Sequence, residues 1–340
     1  MAKTFFLTQS TALSLVIVIC LIFLSFGIYY SKNYRGLKNY LTANRNIGFL
    51  SLTTSLTASA LGAWILFGPA SAATWGGLGA IIGYSLGTAF PMFFFIYLGK
   101  KIRKEFPQGS TLIEFLRKKF GKSLFKLILL MTIFYMFIFL CAEVTAVAVL
   151  INYISGTELW FTALIVLLCT LTYTLYGGLK ASILTDNIQM FVIGSLLLIS
   201  LIYILSFTGS KFSFDFVKEK NSHLLSGSYL PGYTSGLTFF IAVAATNLFH
   251  QGNWQRIYAA KDYKTLKKSL ILSFLIIVPV VFFMGFTGLV AFSLNSSIRP
   301  DLGFFYLLLN EQAIFLSIVV IILGLALTIS TVDTLINAIS

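Results

Sequence analysis

Long apolar segments recur along the chain and are separated by short polar connections. A helix needs about 20 mostly apolar residues to cross the hydrocarbon core of a bilayer, whereas membrane β-barrels show alternating strands of about ten residues. The pattern therefore predicts an all-α polytopic membrane protein. We place nine spans, at residues 5–29, 47–74, 77–98, 124–153, 159–177, 184–207, 235–256, 269–294 and 313–340.

Two of these segments are too polar for plain spanning helices. Segment 47–74 carries a run of serines, threonines and glycines, and segment 235–256 holds Asn247, His250 and Gln251. Small and hydroxyl side chains can simply allow close helix packing or bond to their own helix. Transporters also break the first helix of each inverted repeat at mid-membrane, which frees backbone groups for ions and solute. We favour broken helices at both positions.

The two irregular segments are the second and the seventh, so each could open a repeat of five helices. This spacing predicts a first inverted repeat at residues 47–207 and a second at 235–340, preceded by one extra N-terminal helix at 5–29. A complete second repeat would need two more spans. We therefore expect one transmembrane domain over residues 1–340 that is truncated at its C-terminus.

Composition and charge add the orientation. Of the 340 residues, 58% are hydrophobic and only 10% are charged, against about 25% charged residues in soluble domains. The net charge of +13 could indicate nucleic acid, but most of the cationic residues lie in alternate connections. The positive-inside rule then predicts a multi-pass protein of the cytoplasmic membrane, with its N-terminus outside and residue 340 at the cytoplasmic side. The lipid bilayer and a small organic solute are the expected partners; nucleic acid is not, and the oligomeric state stays open.

One cytoplasmic connection has a pattern of its own. In residues 99–123, Ser110 and Thr111 precede Glu114 and a mixed apolar and basic run. Ser or Thr followed three residues later by Glu is typical of a capped helix start. We predict a short amphipathic helix at the membrane interface.

Three acidic residues fall inside the predicted spans, and ionisable groups in a membrane are costly and often functional. Glu143 has no obvious cationic partner. It could bind a cationic solute or the coupling ion, carry a proton, or serve as a hydrogen-bonded structural group; its neighbour Ala146 is assigned no role. Asp186 could cap its helix. Asp333 follows Ser330 and Thr331.

Adjacent hydroxyls on the last segment indicate a cation site. Sodium is a hard cation that prefers oxygen ligands, and Ser330 and Thr331 could face the free carbonyls of a broken helix. Most such pairs in membrane helices bond only to the preceding turn. Because the sequence shows no constellation of nucleophile and base, we do not expect an enzyme.

Four stretches carry a resemblance to a known family: Arg45-Asn46-Ile47-Gly48, Thr174 to Ala181 with its Gly-Gly pair, Thr185-Asp186-Asn187-Ile188-Gln189, and Ser330-Thr331-Val332-Asp333-Thr334. In this order they resemble the sodium:solute symporters, which include the sodium/proline, sodium/pantothenate and sodium/glucose symporters. The resemblance implies a LeuT-like core of five plus five inverted helices with one extra N-terminal helix, and sodium as the coupling ion.

The resemblance also implies site residues. Sodium would be bound by the carbonyls of Ala58, Leu61 and Leu327 and the hydroxyls of Ser330 and Thr331, and Asp186 would lie on the inward ion path. Solute would lie near Ser59, Trp64, Glu143 and Asn247. The function that follows is sodium-coupled uptake of an amino acid, amine or urea-like solute by alternating access. The alternatives are a sensory input module of a histidine kinase and an uncoupled facilitator.

Overall fold

The computed structural model describes residues 5–33, 36–309 and 313–339, and these residues are almost entirely helical. Within them, seven helices are long and apolar enough to cross a membrane. The predicted class is therefore confirmed. In chain order the helices are α1 (Gln9–Asn33), α2 (Leu37–Thr42), α3 (Phe49–Ala60), α4 (Gly68–Ala89), α5 (Pro91–Glu105), α6 (Leu112–Phe120), α7 (Lys122–Ser155), α8 (Leu159–Thr208), α9 (Phe214–Leu225), α10 (Leu230–Phe249), α11 (Gln251–Ala259), α12 (Tyr263–Leu294), α13 (Gly303–Leu308) and α14 (Ala313–Ile339).

Helix α8 is two spans joined by a single glycine. Its 50 residues would be about 75 Å long if straight, more than twice the roughly 30 Å of a hydrocarbon core. Gly178 interrupts the helix with φ +60° and ψ −157°. The carboxylate of Asp333 bonds to Tyr173 before the glycine and to Ser182 after it, so the chain turns back at Gly178. Of the connection predicted at 178–183, only Gly178 is non-helical, and the following helix begins directly after this glycine.

Helix α4 turns back in the same way at Gly77, where φ is +58°. A Cβ at Gly77 would lie 2.2 Å from the carbonyl oxygen of Leu224, so only glycine fits. Ala70 before the turn and Ile81 after it lie beside residues of α12 that are only three apart, Gly288 and Gly285. Residues 68–76 therefore continue the span that begins with α3, and residues 78–89 continue into α5.

Both predicted helix breaks are present. Helix α3 ends at Ala60; Leu61 (φ −103°, ψ 83°) and Gly62 (φ −86°, ψ 178°) are non-helical, and a 3-10 turn follows. Helices α10 and α11 are separated by His250, which is extended (φ −69°, ψ 106°). Polar residues in an otherwise apolar segment thus marked both interruptions.

The inner ends of the two broken spans are tied by backbone. Ile47, just before α3, donates its N–H to the carbonyl of Ala259 at 3.0 Å and accepts from the N–H of Lys261 at 3.0 Å. Arg103 adds a bond to the carbonyl of Ala260 at 2.9 Å. The inner half-helices α3 and α11 therefore form one joined unit.

The short, capped amphipathic helix that the sequence predicts is present as α6. The Thr111 hydroxyl accepts a hydrogen bond from the N–H of Glu114 at 3.3 Å, and the Glu114 carboxylate accepts one from the N–H of Ser110 at 2.8 Å. Leu112 and Ile113 are buried, while residues 117–120 are exposed. This is the amphipathic arrangement that the sequence predicts.

Candidate functional site

The predicted sodium ligands come together where α14 passes the first helix break. The Ser330 hydroxyl lies 3.4 Å from the carbonyl oxygen of Ala58 and 2.9 Å from that of Leu327. The Thr331 hydroxyl lies 3.1 Å from the same Leu327 oxygen. The last carbonyls of a helix have no partner inside it, so the Ala58 oxygen, near the end of α3, can be met from α14. Leu61, the first non-helical residue, is also fully buried.

This cluster has the chemistry of a site for a hard cation. It brings hydroxyl and carbonyl oxygens from two helices into a fully buried place. Such oxygens are the ligands that hard cations prefer. The residues present therefore fit a sodium ion.

Glu143, on α7, lies against the outer side of the same break. It is fully buried, and its Oε2 accepts a hydrogen bond from the backbone N–H of Ala63 at 2.8 Å. Gly62 makes this approach possible, because a Cβ there would lie 2.3 Å from Oε1. Oε2 thus binds a backbone N–H just after the break, whereas Oε1 has no hydrogen-bond partner among the described residues.

Aromatic rings continue from this carboxylate towards α10. Trp64 follows Ala63 directly and stacks on Tyr84 of α4, with ring centroids 5.3 Å apart and planes at 17°. The Tyr84 ring in turn packs against that of Phe239 on α10, with ring centroids 4.6 Å apart. Tyr84 and Phe239 were not predicted as site residues, since their spacing carries no signal in a chain this rich in aromatic residues. The three rings are only half-buried.

Two of the residues predicted to bind solute make side-chain hydrogen bonds to backbone carbonyls of their own helices. The Ser59 hydroxyl donates to the carbonyl of Leu56 at 3.2 Å, and the Asn247 amide donates to the carbonyl of Val243 at 3.0 Å. Neither side chain bonds to Glu143. The structure therefore brings Trp64 and Glu143 together, and leaves Ser59 and Asn247 as flanking positions.

Asp186 holds a buried ion pair on the inner side of the break. Its Oδ2 lies 2.8 Å from Arg256 Nη2 and 2.5 Å from the Ser55 hydroxyl, and Arg256 Nη2 also donates to the Thr334 hydroxyl at 2.6 Å. All four side chains are fully buried. The suggestion that Asp186 caps its helix is wrong, because it lies two turns beyond Gly178 and bonds to other helices. The pair joins α3, α8, α11 and α14.

The third buried carboxylate, Asp333, is held by hydroxyl groups. Tyr173 donates to its Oδ2 at 2.7 Å and Ser182 to its Oδ1 at 3.0 Å; Thr185 and Thr334 lie within 3.4 Å. Both carboxylate oxygens therefore have partners from α8.

A cavity of about 280 Å³ adjoins α11, just below the second break. Gln251, Gln255 and Thr132 line it, each with a buried polar atom that has no hydrogen-bond partner within the described residues. This cavity can therefore hold polar groups. Outside its lining, the ring of His250 packs against those of Tyr135 and Phe139.

Comparisons with known proteins agree with this geometry. A spermidine transporter of Candida albicans is 27% identical over 318 residues, which cover 93% of this chain and 60% of that protein. Sodium/glucose cotransporter 4 of Danio rerio is 28% identical over 201 residues, which cover 57% of this chain and 30% of that protein. The aligned part of the chain thus spans 60% of the length of the first relative and 30% of the second.

A solved structure shares the fold. A Na⁺-coupled sialic acid symporter, in its substrate-bound outward-open state, aligns with a TM-score of 0.79 at 17% identity, over 96% of this chain and 71% of that chain. A model of the sodium:solute symporter family matches residues 40–333, nearly the whole chain. The chain belongs to the sodium:solute symporter family.

Proposed function

We propose that this chain forms the core of a secondary transporter that takes up a small organic solute together with sodium by alternating access. One observation carries the proposal: the hydroxyl of Ser330 on unbroken α14 meets the carbonyl of Ala58 at the end of broken α3. The family couples solute transport to sodium, and this cluster supplies the oxygen ligands that sodium prefers. Ala58, Leu61, Leu327, Ser330 and Thr331 are its proposed ligands.

Sodium at this cluster would couple to conformation through α3. One 3.4 Å contact joins the Ser330 hydroxyl to α3 at the cluster, which is a weak link. An ion that binds oxygens of both helices favours the conformation in which they are close, and its loss removes that preference. Since α3 and α11 are joined at their inner ends, the two half-helices would move together.

The inward route runs past Asp186. Its ion pair with Arg256 closes the inner side of the cluster, and the polar cavity below the second break lies beyond it. We place Asp186 on the path by which sodium leaves. Opening this route requires the Asp186–Arg256 pair to separate or to move with the inner half-helices.

The solute would bind between the two breaks, near Ser59, Trp64, Glu143 and Asn247. An amino acid, an amine or a urea-like compound suits a site with one buried carboxylate and aromatic rings. The name of the Candida albicans relative contains a polyamine, spermidine, which supports the amine.

The proposed setting is the cytoplasmic membrane. The alternation of basic connections favours an N-terminus outside and residue 340 on the cytoplasmic side; both termini lie outside the described residues. The first inverted repeat is residues 47–207, and the second lies within residues 235–340. The membrane potential then assists sodium entry by about 2.3 kcal/mol per charge per 100 mV.

The test is sodium-driven uptake by the full-length protein with Ser330→Ala and Thr331→Ala combined. Because the variant lacks both hydroxyl ligands, we expect sodium-dependent uptake to fall at least about tenfold, in line with loss of charge-assisted contacts. Proteoliposomes with an inward sodium gradient and a panel of labelled solutes provide the measurement. The matched control is Ser200→Ala with Thr208→Ala, whose hydroxyls bond only to their own helix.

Three outcomes would redirect the proposal. Full sodium-dependent uptake by the Ser330/Thr331 variant would refute the ion site. Equal uptake by the wild type in sodium-free buffer would indicate an uncoupled facilitator. Solute binding with no uptake would indicate a sensory input module.

A further inference from the structure

Glu143 differs from the two other carboxylates buried in the spans. Asp186 is neutralised by Arg256 at 2.8 Å. Asp333 accepts hydrogen bonds on both of its oxygens. Among the described residues, Glu143 accepts a hydrogen bond on Oε2 from the Ala63 N–H, the Trp64 N–H also lies close to the carboxylate, and Oε1 has no hydrogen-bond partner. Its charge therefore has neither a cation nor a full set of donors.

A buried, charged Glu143 carboxylate without a cationic partner destabilises the protein unless a bound cation pairs with it. Burying a carboxylate in a protein has an effective cost of several kcal/mol, and buried charges in membranes are normally paired. None of the ion pairs within residues 5–33, 36–309 and 313–339 involves Glu143. A cation that arrives with the solute would supply the missing partner.

The aromatic rings beside Glu143 would also favour a bound cation. Aromatic faces attract cations, tryptophan most strongly, and the attraction grows when water is excluded. Trp64 and Tyr84 are stacked next to the break and are half-buried, so one side of the pair can be reached. A neutral polyol would need several hydrogen-bond donors and acceptors, which ring faces do not offer.

We propose that the solute is an organic cation whose ammonium group binds between Oε1 of Glu143 and the rings of Trp64 and Tyr84. The inference rests on the proposed function and names its substrate class. Glu143 supplies the charge and Trp64 the principal ring. The ammonium site is distinct from the sodium cluster, whose oxygens come from Ala58, Leu327 and Ser330.

The first test is equilibrium binding of labelled spermidine to the purified full-length protein in sodium buffer. Glu143→Gln keeps an oxygen acceptor for the Ala63 N–H but removes the charge, so we expect spermidine affinity to fall about tenfold or more. Trp64→Leu should also weaken spermidine binding, whereas sodium-induced thermal stabilisation should persist in both variants.

The chain offers a matched pair of controls. Glu158 and Trp160 are also a glutamate and a tryptophan in contact, with Trp160 Nε1 donating to Glu158 Oε2 at 2.6 Å, but they lie exposed at the start of α8. Glu158→Gln and Trp160→Leu should bind spermidine like the wild type. Wild-type affinity in Glu143→Gln, in protein that sodium still stabilises, would overturn the proposal.

A solute panel separates this inference from the function on which it rests. Spermidine, proline and urea represent a cation, a zwitterion and a neutral solute in sodium-gradient uptake. Uptake of spermidine by the wild type but not by Glu143→Gln supports both claims. Sodium-driven uptake of proline or urea without spermidine overturns the cation site and leaves the symporter standing. Uptake of none of the three, without sodium-induced stabilisation, overturns both.

Discussion

At the scale of single residues, buried polar groups carry the candidate chemistry: the hydroxyls of Ser330 and Thr331, the carboxylate of Glu143 and the ion pair of Asp186 with Arg256. The hydroxyl pair Ser330–Thr331 and the intramembrane Glu143 stand out because polar groups are rare in apolar segments. The partner of Asp186 does not, since Arg256 is 70 residues away and its pairing depends on how four helices meet. The capping role considered for Asp186 was wrong for the same reason: the sequence shows the neighbours of a residue along its helix, but not those on other helices.

The Asp186–Arg256 pair leads to a prediction about stability. Arg256→Met leaves Asp186 buried without its cation, so we expect the free energy of unfolding to fall by about 3–5 kcal/mol. Adding Asp186→Asn removes the uncompensated charge and should restore part of this loss. Thermal and denaturant unfolding in detergent provides the measurement.

The control for this prediction is Arg299→Met, which breaks an exposed ion pair with Asp301. Exposed ion pairs contribute little, so little change is expected. If Arg256→Met were as mild as Arg299→Met, the buried pair would not hold the inner side together.

At the scale of elements, the sequence located the helix breaks and the ends of the spans, but not the form of the turns between spans. Runs of polar residues indicated the interruptions at Leu61–Gly62 and His250. The span boundaries at 74–77 and 177–184 fall beside Gly77 and Gly178, but the sequence did not show that each turn is a single non-helical glycine. Glycine is needed at both because φ is positive there.

Glycine has a second role where α4 packs on α10. A Cβ at Gly83 would lie 2.0 Å from the carbonyl oxygen of Gly236, and one at Gly79 would lie 2.4 Å from that of Gly232. Small residues at four-residue spacing let helix backbones approach closely in membranes. This contact joins the first repeat, as we propose it, to the second.

Gly83→Ala should therefore separate the two helices. Overpacking of this kind typically costs about 1–3 kcal/mol, so we expect the unfolding temperature to fall by about 1–4 °C. Gly194→Ala on α8 is the matched control, because a Cβ there meets nothing within 4 Å. Equal unfolding temperatures for the two variants would show that the close contact is not needed.

At the scale of the whole molecule, length and hydropathy sufficed for the fold class. Alternating apolar and polar segments predicted the polytopic helical protein, and the spacing of two polar segments predicted the pair of broken helices. What the sequence could not supply is how they meet: the backbone bonds between Ile47 and residues 259–261, and the contact of Ser330 with Ala58. Both sets of contacts depend on tertiary packing. The packing of α14 against α3 places the Ser330 hydroxyl opposite the free carbonyl of Ala58.

The contact of α3 with α14 should form a sodium site. We would measure it by equilibrium binding of radioactive sodium to the purified full-length protein. We expect saturable binding that excess potassium does not displace, that is lost in Ser330→Ala with Thr331→Ala, and that persists in Ser200→Ala with Thr208→Ala. Equal sodium binding by the two double variants would contradict it.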